Sequence, residues 1–230
     1  MKIALIGYGK MGKAVEQHAI AKGHTIVATI DSKGSFEDLT AADICIDFTR
    51  PDCALNNIQK VAALKKNLIM GTTGWHDQLE TARAIVKDAS IGFLFAPNFS
   101  LGIALFLQMV EHAAKLIAPF NCYDVSGIEI HHNQKLDSPS GTAKNIIEKL
   151  QAHLPNNQVP IEFSSLRVGS VPGTHTTLFD SPADTITLTH TARNRDGFAS
   201  GAIVAAEWLQ GKTGFFTLSD MLLAKNPILT

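Results

Sequence analysis

The sequence predicts an α/β protein, in which a doubly wound parallel sheet is joined by an inserted α+β domain. Short strands that are apolar throughout alternate with helical patterns over the first hundred residues, as in a parallel sheet covered on both faces. The second half has strand patterns with fewer helices between them, including an alternating one at Thr185–Thr189. We expect a dinucleotide-binding domain at residues 1–100 plus 202–230 and a substrate-binding and oligomerisation domain at residues 101–201.

Each element is predicted from hydrophobic periodicity and from glycine or polar residues at its ends. The predicted strands are 2–6, 25–30, 44–46, 67–70, 91–95, 124–131, 164–169 and 185–193. The predicted helices are 13–22, 53–64, 78–87, 101–120, 142–150 and 198–211. The stretch from Asp31 to Asp47 is too short for a full crossover helix, so we expect only a turn near Phe36–Leu39.

Composition excludes several classes of protein. The 230 residues carry 20 Lys and Arg against 21 Asp and Glu, a net charge of −1, so we expect neither a nucleic-acid partner nor a membrane partner. Three irregularly spaced cysteines form neither a disulfide framework nor a zinc site, which favours a cytoplasmic protein. The apolar segment 101–120 has its polar residues on one face, which indicates an amphipathic helix rather than a membrane span.

A glycine motif indicates a nucleotide cofactor. Gly7-Tyr-Gly-Lys-Met-Gly12 fits G-x-G-x-x-G directly after one strand and at the start of a helix. In such a Rossmann-like turn, glycines permit the tight bend and a close approach of the pyrophosphate, which the helix N-terminus then binds. Taken alone, the same pattern also occurs in glycine turns that serve packing only.

Asp31 strengthens the cofactor prediction and bears on its type. It ends the second strand, 19 residues after Gly12, where a carboxylate binds the adenine ribose diol. Its charge favours NAD(H), but Lys10 or Lys33 could reach the 2′-phosphate of NADP(H). The sequence therefore leaves NADH, NADPH or both open.

Two further strand ends carry small and hydroxyl residues, at Asp47-Phe-Thr49 and at Gly71-Thr-Thr-Gly74. Open α/β sheets bind their ligands at the carboxyl ends of the strands. Gly71, Thr72 and Thr73 could line the nicotinamide ribose, although a Gly-Thr-Thr-Gly turn is also unremarkable by itself.

The most concentrated polar stretch runs from Glu129 to Ala143. His131 and His132 point to opposite faces of an extended strand, so they are poor co-ligands for one metal ion, and we predict no metal site. Lys135 and the helix N-terminus at Gly141 and Thr142 form an anion site that suits a substrate with one or two carboxylates. An imidazole can supply a proton near neutral pH, although adjacent histidines are often structural.

These residues resemble the 4-hydroxy-tetrahydrodipicolinate reductase (dihydrodipicolinate reductase) family over essentially the whole chain. The family's most specific motif, E-[hydrophobic]-H-H-x-x-K-x-D-x-P-S-G-T-A, is intact from Glu129 to Ala143. The glycine loop, Asp47-Phe-Thr49, Gly71-Thr-Thr-Gly74 and Ala96-Pro-Asn-Phe-Ser100 match as well. So do Gly173-Thr-His175, Arg195 and Phe198-Ala-Ser-Gly-Ala202.

The resemblance implies NAD(P)H-dependent reduction of 4-hydroxy-tetrahydrodipicolinate to tetrahydrodipicolinate and water, in the diaminopimelate route to lysine. It implies that His131 and Lys135 are catalytic, that His132, Gly141 and Thr142 bind the substrate, and that the protein is a homotetramer built through the sheet of the second domain. The implied cofactor-binding residues are Gly7, Tyr8, Gly9, Lys10, Met11, Gly12, Asp31, Gly71, Thr72, Thr73, Ala96, Pro97, Asn98 and Phe99.

Two departures from the family pattern affect the cofactor contacts. The glycine loop is one residue shorter than in many members, and Ser32 stands where many have an Arg directly after the acidic residue. The alternatives are another dehydrogenase of a small amino or imino acid, such as an aspartate dehydrogenase, and a catalytically silent nucleotide-binding protein. The intact polar stretch argues against both.

Overall fold

The computed structural model describes residues 1–31, 34–154 and 160–225 of the chain. The chain divides into two compact units. The first comprises Met1–Ser100 and the chain from Asp196 onward, and the second comprises Leu101–Arg195. The return to the first unit thus occurs at the start of a helix, whereas the sequence prediction placed it at residue 202.

The described strands are β1 (Lys2–Ile6), β2 (Thr25–Ile30), β3 (Ile44–Asp47), β4 (Asn67–Met70), β5 (Gly92–Phe95), β6 (Asp124–His131), β7 (Phe163–Arg167), β8 (Thr174–Asp180), β9 (Thr185–Thr191) and β10 (Gly214–Thr217). The described α-helices are α1 (Lys10–Ala21), α2 (Pro51–Ala63), α3 (Leu79–Ala89), α4 (Leu101–Ile117), α5 (Gly141–His153), α6 (Asp196–Leu209) and α7 (Leu218–Lys225). Short 3₁₀ helices lie at Phe36–Ala41 and His76–Gln78.

The first unit is a parallel sheet with strand order β10-β5-β4-β3-β1-β2. Helices α1 and α6 contact each other, as do α2 and α3. Strands β3 and β5 are buried along their whole length, because the helices cover both faces of the sheet. The doubly wound parallel sheet and the curtailed helix near Phe36–Leu39 are therefore as predicted.

Two elements of this unit were not predicted from sequence. Strand β10 has only four residues and lies at the edge of the sheet, so its sequence shows almost no hydrophobic periodicity. Helix α7 follows at once and begins with a reciprocal cap. The backbone N–H of Thr217 donates to Asp220 Oδ2 at 2.7 Å, and the N–H of Asp220 donates to Thr217 Oγ1 at 3.3 Å. The helix at Asp196–Leu209 is consequently not the last one.

The second unit is an α+β arrangement with strand order β7-β6-β8-β9. Strand β6 pairs in parallel with β7 and antiparallel with β8, which pairs antiparallel with β9. Helices α4 and α5 contact each other, and Phe106, Ile146 and Phe179 lie in one buried apolar cluster. Strand β8 escaped sequence prediction because its core face carries His175 and Thr177 before Phe179, so hydrophobicity does not alternate along it.

The opposite face of this sheet is lined by threonines. Thr174 and Thr191 form one cross-strand hydroxyl pair at 3.2 Å, and Thr176 and Thr189 form another at 3.1 Å. Leu166, on β7, is half exposed. No helix in the described part of the chain is long and apolar enough to cross a membrane.

Candidate active site

The glycine loop between β1 and α1 has the geometry of an anion-binding turn. Gly7 has a φ of +89°, and a Cβ at Gly12 would lie 2.2 Å from the Gly7 carbonyl oxygen, so the helix can begin here only with glycine. Gly9 is the N-cap of α1 and offers no side-chain cap, and the space beside its Cα is open. The N–H groups of the first turn of α1 therefore suit a phosphate.

The side chains of this loop differ in exposure. Tyr8 is half buried and donates a hydrogen bond to Glu16, and this bond raises the pKa of Tyr8. Lys10 is exposed, and Met11 is half buried. The phenol of Tyr8 is thus anchored to α1, while Lys10 can turn toward an anionic ligand.

Asp31 lies directly after β2 and is exposed. That position is at the carboxyl end of a strand next to the glycine loop, where Gly7 N–H donates to Ile30 O at 2.8 Å. Ser32 and Lys33 lie outside the described residues. Asp31 therefore lies beside the glycine loop, and its role in binding the adenine ribose stays a prediction.

A buried carboxylate joins the ends of β3 and β4. Asp47 is fully buried, and its Oδ1 accepts hydrogen bonds from Thr49 N at 3.0 Å, Thr49 Oγ1 at 2.8 Å and Thr72 Oγ1 at 2.8 Å. Its Oδ2 accepts one from Asn57 Nδ2 at 2.8 Å. Burial raises the pKa of Asp47 and these hydrogen bonds oppose that rise. The carboxylate therefore fixes two neighbouring loops relative to each other.

This network limits what Thr72 can offer a ligand. Its hydroxyl donates to Asp47 and accepts from Thr49 N at 2.7 Å, and its carbonyl accepts from Trp75 Nε1 at 2.7 Å. Thr73, the next residue, is exposed. Of the two predicted threonines, Thr73 has the side chain open to a cofactor, and Thr72 holds the loop.

Phe48 and Phe99 connect the remaining predicted cofactor residues. Their rings pack edge to face with centroids 6.0 Å apart, and the Phe48 ring lies directly against Gly71. Phe99 is itself buried. Before it, Ala96 is buried, Pro97 is exposed, and Asn98 Oδ1 accepts from Ser100 N at 2.8 Å.

In the second unit, Glu129 is the centre of a polar cluster on the core face of β6. The sheet register sets it opposite Ser165 on β7 and His175 on β8. Its Oε1 accepts from Ser140 N at 3.0 Å, Ser165 Oγ at 2.7 Å and Arg167 Nη2 at 3.0 Å. Burial raises the pKa of Glu129, but these donors outweigh it and lower the pKa to about 2.

His131 lies two residues after Glu129, on the same face of β6, and is buried. Its Nδ1 lies 3.3 Å from Glu129 Oε2, and its ring lies 5.1 Å, between centroids, from that of His175. Burial lowers the pKa of His131, while the Glu129 carboxylate raises it. This imidazole is held between a fixed negative charge and a second, buried imidazole.

Lys135 lies in the loop after β6 and pairs with Asp137 Oδ1 at 2.7 Å. The hydrogen bond from Lys135 lowers the pKa of Asp137. Arg167 holds this loop by donating from Nε to the Lys135 carbonyl at 3.3 Å and from Nη2 to the Asp137 carbonyl at 2.6 Å. The predicted catalytic residues His131 and Lys135 are thus brought to the same end of β6.

The predicted substrate-binding residues flank the same loop. His132 is half buried, and its Nδ1 is buried without a hydrogen-bond partner among the described residues. Gly141 and Thr142 form the first turn of α5, which Ser140 caps by accepting from Ala143 N at 3.2 Å. The positive end of α5 therefore lies beside the loop that carries Lys135.

Glu129, His131 and His175 offer three ligand atoms within 4.8 Å of one another, a spacing that a metal ion could use. The Arg167 guanidinium, 3.0 Å from the same carboxylate, already neutralises its charge. A cation there would be repelled at close range, so we interpret the cluster as a hydrogen-bonded network.

Sequence reasoning gave no role to Arg167, Ser140 or the buried Glu129, although Glu129 and Ser140 lie inside the motif. One available signal was a carboxylate in the middle of an apolar strand, because such a group is buried only when it is paired. The partners Ser165, Arg167 and His175 come from other strands, and their approach depends on the sheet register.

Comparison with known proteins places both halves of the chain. A family model described as "Dihydrodipicolinate reductase, N-terminus" matches residues 1–99, and one described as "Dihydrodipicolinate reductase, C-terminus" matches residues 102–222. The 4-hydroxy-tetrahydrodipicolinate reductase of Christiangramia forsetii is 40% identical over 96% of this chain and 98% of that protein. The protein of the same name from Neisseria meningitidis serogroup B is 35% identical over 82% of this chain and 75% of that protein.

Solved structures agree on the fold. A dipicolinate-bound dihydrodipicolinate reductase from Paenisporosarcina sp. TG-14 aligns with a TM-score of 0.81 at 23% identity, over 94% of this chain and 97% of that chain. A probable dehydrogenase from Thermotoga maritima aligns with a TM-score of 0.64 at 8% identity, over 97% and 93% of the two chains. Since both halves match the family and the relatives are similar over most of their length, the chain belongs to the dihydrodipicolinate reductase family.

Proposed function

We propose that this chain is a 4-hydroxy-tetrahydrodipicolinate reductase. It would use a reduced nicotinamide cofactor to convert 4-hydroxy-tetrahydrodipicolinate into tetrahydrodipicolinate and water, in the diaminopimelate route to lysine. The Christiangramia forsetii protein of that name, 40% identical over nearly the whole chain, supports the reaction. The observation that carries the proposal is the grouping of His131, Lys135 and the N-terminus of α5 around one loop after β6.

A small dicarboxylate suits the charges of that loop. The chain as a whole has a net charge of −1, so an anion must be held by local groups. Lys135, the first turn of α5 at Gly141 and Thr142, and the half-buried imidazole of His132 supply them. The related Paenisporosarcina reductase was solved with dipicolinate bound, and dipicolinate is a planar dicarboxylate of the same class.

The residues at the end of β6 would handle the protons. A bound nicotinamide cofactor would supply a hydride to the conjugated C=C–C=N system that remains after water is lost. The electron pair displaced by the hydride then needs a proton, and His131 would donate it. Lys135 would stabilise the negative charge that develops on the substrate. Its ammonium is held in the loop after β6 by its pairing with Asp137 at 2.7 Å.

For the cofactor, we propose that NADH binds well and NADPH is also accepted. The uncapped first turn of α1 and the open space beside Gly9 would take the pyrophosphate. Asp31 favours the ribose diol of NADH, while the exposed Lys10 offers a positive charge to the 2′-phosphate of NADPH. Thr73 and the Ala96–Phe99 segment would contact the nicotinamide half.

We also propose a cytoplasmic homotetramer. The three cysteines are free, which suits a reducing compartment. The threonine-lined face of the β6–β9 sheet is partly apolar, with Leu166 and Ile128 exposed, as a surface that pairs with other copies would be.

A coupled assay tests the reaction. Pyruvate and aspartate semialdehyde are fed through a synthase, and NADH or NADPH oxidation is followed as this protein is increased. We expect absorbance loss that scales with protein, and a loss of activity of at least 100-fold in His131→Ala and in Lys135→Ala with the fold intact. Cofactor binding without absorbance loss would favour a silent nucleotide-binding protein, and oxidation with aspartate or other amino acids instead would favour a different dehydrogenase.

A further inference from the structure

Two buried polar atoms on the core face of β6 face each other. Nδ1 of His131 lies 3.3 Å from Oε2 of Glu129, and neither atom has a conventional hydrogen-bond partner elsewhere among the described residues. An unpaired carboxylate oxygen and an unpaired ring nitrogen at this depth are each costly. A small rotation of the His131 ring would pair them with each other.

The rest of the cluster keeps Glu129 in place for this contact. Three donors, from Ser140, Ser165 and Arg167, all go to Oε1. Oε2 therefore remains as the only carboxylate oxygen available to the imidazole, and the carboxylate cannot turn without breaking three hydrogen bonds.

His175 is the other imidazole near Oε2, and it is engaged elsewhere. Its Nε2 lies 3.1 Å from Ser140 Oγ and 3.6 Å from Glu129 Oε2. Burial, with the neighbouring His131 second, lowers the pKa of His175 to about 4. His175 is therefore neutral at physiological pH, so of the two imidazoles near Oε2 it is His131 that would carry a positive charge.

We propose that Glu129 is a positioning residue that holds the proton of His131 on Nδ1, so that Nε2 is the atom that exchanges protons with the substrate. The inference rests on the proposed function in that it takes His131 as the proton donor. In the neutral ring Nδ1–H would donate to Glu129, and Nε2 would be the basic nitrogen. In the imidazolium the fixed carboxylate would stabilise the charge until Nε2 gives its proton to the substrate.

Gly173 leaves room at that nitrogen. A Cβ at residue 173 would lie 3.0 Å from Nε2 of His131, and the φ of +153° there also favours glycine. The side of the ring that faces away from Glu129 is thus bordered by backbone without a side chain.

Other charged groups around His131 also affect its titration. Lys135 and Arg167 lower its pKa, while Asp137 raises it, and the neutral His175 packs against the ring from β8. All of them remain when Glu129 alone is changed, so the effect of one carboxylate can be isolated.

The first test is the pH dependence of kcat/KM in Glu129→Gln. Loss of the carboxylate lowers the pKa of His131, so the protonated donor disappears at a lower pH. We expect the basic limb of the profile to move to lower pH, with a loss of about 100-fold above neutral pH that shrinks toward acid. Glu129→Asp, which keeps the charge, would retain a limb close to the wild-type one. Glu148→Gln, the same change on an exposed residue of α5, serves as the control.

A purely structural role for Glu129 would lower activity by the same factor at every pH. An unmoved limb in a folded Glu129→Gln variant would therefore overturn the proposal. If that variant does not fold, wild-type protein labelled with ¹⁵N-histidine still decides. The resonances lost in His131→Asn identify the ring, and we expect the neutral form to carry its proton on Nδ1. A neutral ring with its proton on Nε2 would contradict the positioning role of Glu129.

The two proposals fail separately. Near-wild-type turnover in His131→Ala would remove the proton-donor role whatever the ring tautomer is. An inactive His131→Ala beside an unmoved profile in Glu129→Gln would keep that role and discard the positioning by Glu129.

Discussion

Arg167 is joined to Glu129 by a charged hydrogen bond of 3.0 Å between Nη2 and Oε1. The same guanidinium donates to the carbonyls of Lys135 and Asp137, so one side chain links the buried carboxylate on β6 to the loop that carries the ammonium group. Because β7 pairs in parallel with β6, the register sets Arg167 beside His131 and fixes this link.

We expect Arg167→Gln to destabilise the second unit and to abolish most activity. It would leave the buried Glu129 charge without its cation, at a cost of about 3–5 kcal/mol, and would free the loop at Lys135. Arg167→Lys should rescue only part of this, because a compact ammonium cannot reproduce the widely spaced donors with which the guanidinium reaches Glu129 and the two loop carbonyls. Thermal midpoints and kcat of both variants check this, with the half-exposed Arg83→Gln as control. An unchanged midpoint in Arg167→Gln would contradict the link.

The Asp47 network predicts an effect on cofactor binding. At present Asp47 Oδ2 accepts a hydrogen bond from Asn57 Nδ2 at 2.8 Å. In Asp47→Asn an amide NH₂ would replace that oxygen, so two donors would face each other. Leaving a buried polar group without its partner costs about 1–3 kcal/mol, and the loops at Thr49 and Thr72 would lose their common anchor. We expect the Kd for NADH, from fluorescence titration, to rise severalfold, with no change in the exposed control Asp52→Asn. Equal affinities would show that the network does not shape the cofactor site.

Most of the fold could be predicted because its signals are local. The apolar runs at Lys2–Ile6 and Ile44–Asp47, separated by helical patterns, indicate a covered parallel sheet wherever they occur. Strand β8 gave no such signal, because His175 and Thr177 occupy its core face. His175 is buried as a member of a polar cluster that forms across three strands, and the Thr177 hydroxyl is buried without a hydrogen-bond partner among the described residues.

The candidate site likewise has a part that the sequence predicts and a part that only the fold brings together. His131, Lys135 and Gly141 lie within one short motif, so their grouping follows from the chain itself. The contacts that Glu129 makes with Arg167 join residues 38 positions apart, and the sheet register alone brings them together. The sequence could not tell the role of Thr72 from that of Thr73. Only the structure shows that the Thr72 hydroxyl donates to Asp47.

We predict that protonation of His175 lowers the stability of the fold in mild acid. Its pKa is about 4 in the folded protein, below the unfolded value of 6.5. The unfolded chain therefore binds more protons between these values, and stability that is complete above pH 6.5 falls as the pH drops toward 4, by about 3 kcal/mol. We expect His175→Gln, which can still reach Ser140, to show a smaller fall in the free energy of unfolding from pH 7 to pH 4.5. The exposed His112→Gln is the control, and a fall as large as in wild type would rule out His175 as its source.

Asp31 predicts the direction in which cofactor preference can be moved. Removing its carboxylate in Asp31→Ala takes away the acceptor for the ribose diol and the repulsion of a 2′-phosphate. We expect the KM for NADH to rise and the KM for NADPH to fall, with the ratio of kcat/KM values moving about tenfold or more toward NADPH. The exposed Asp43→Ala, at the opposite end of the strands, should leave the ratio alone. An unmoved ratio in Asp31→Ala would mean that the adenine ribose binds elsewhere.

The threonine face of the second unit predicts how the protein assembles. Thr187 is exposed and lies opposite Leu178, on the side of the sheet away from α4 and α5. If four copies meet through this face, Thr187→Arg would bury a charged guanidinium in the interface between copies. The charge would have no partner of opposite sign there and would disfavour association. Light scattering after size exclusion should give about four times the chain mass of 24.8 kDa for wild type and a smaller species for the variant. Thr81→Arg, on the exposed side of α3, should behave as wild type. A monomeric wild-type protein would refute the tetramer, and a tetrameric Thr187→Arg variant would move the interface to another surface.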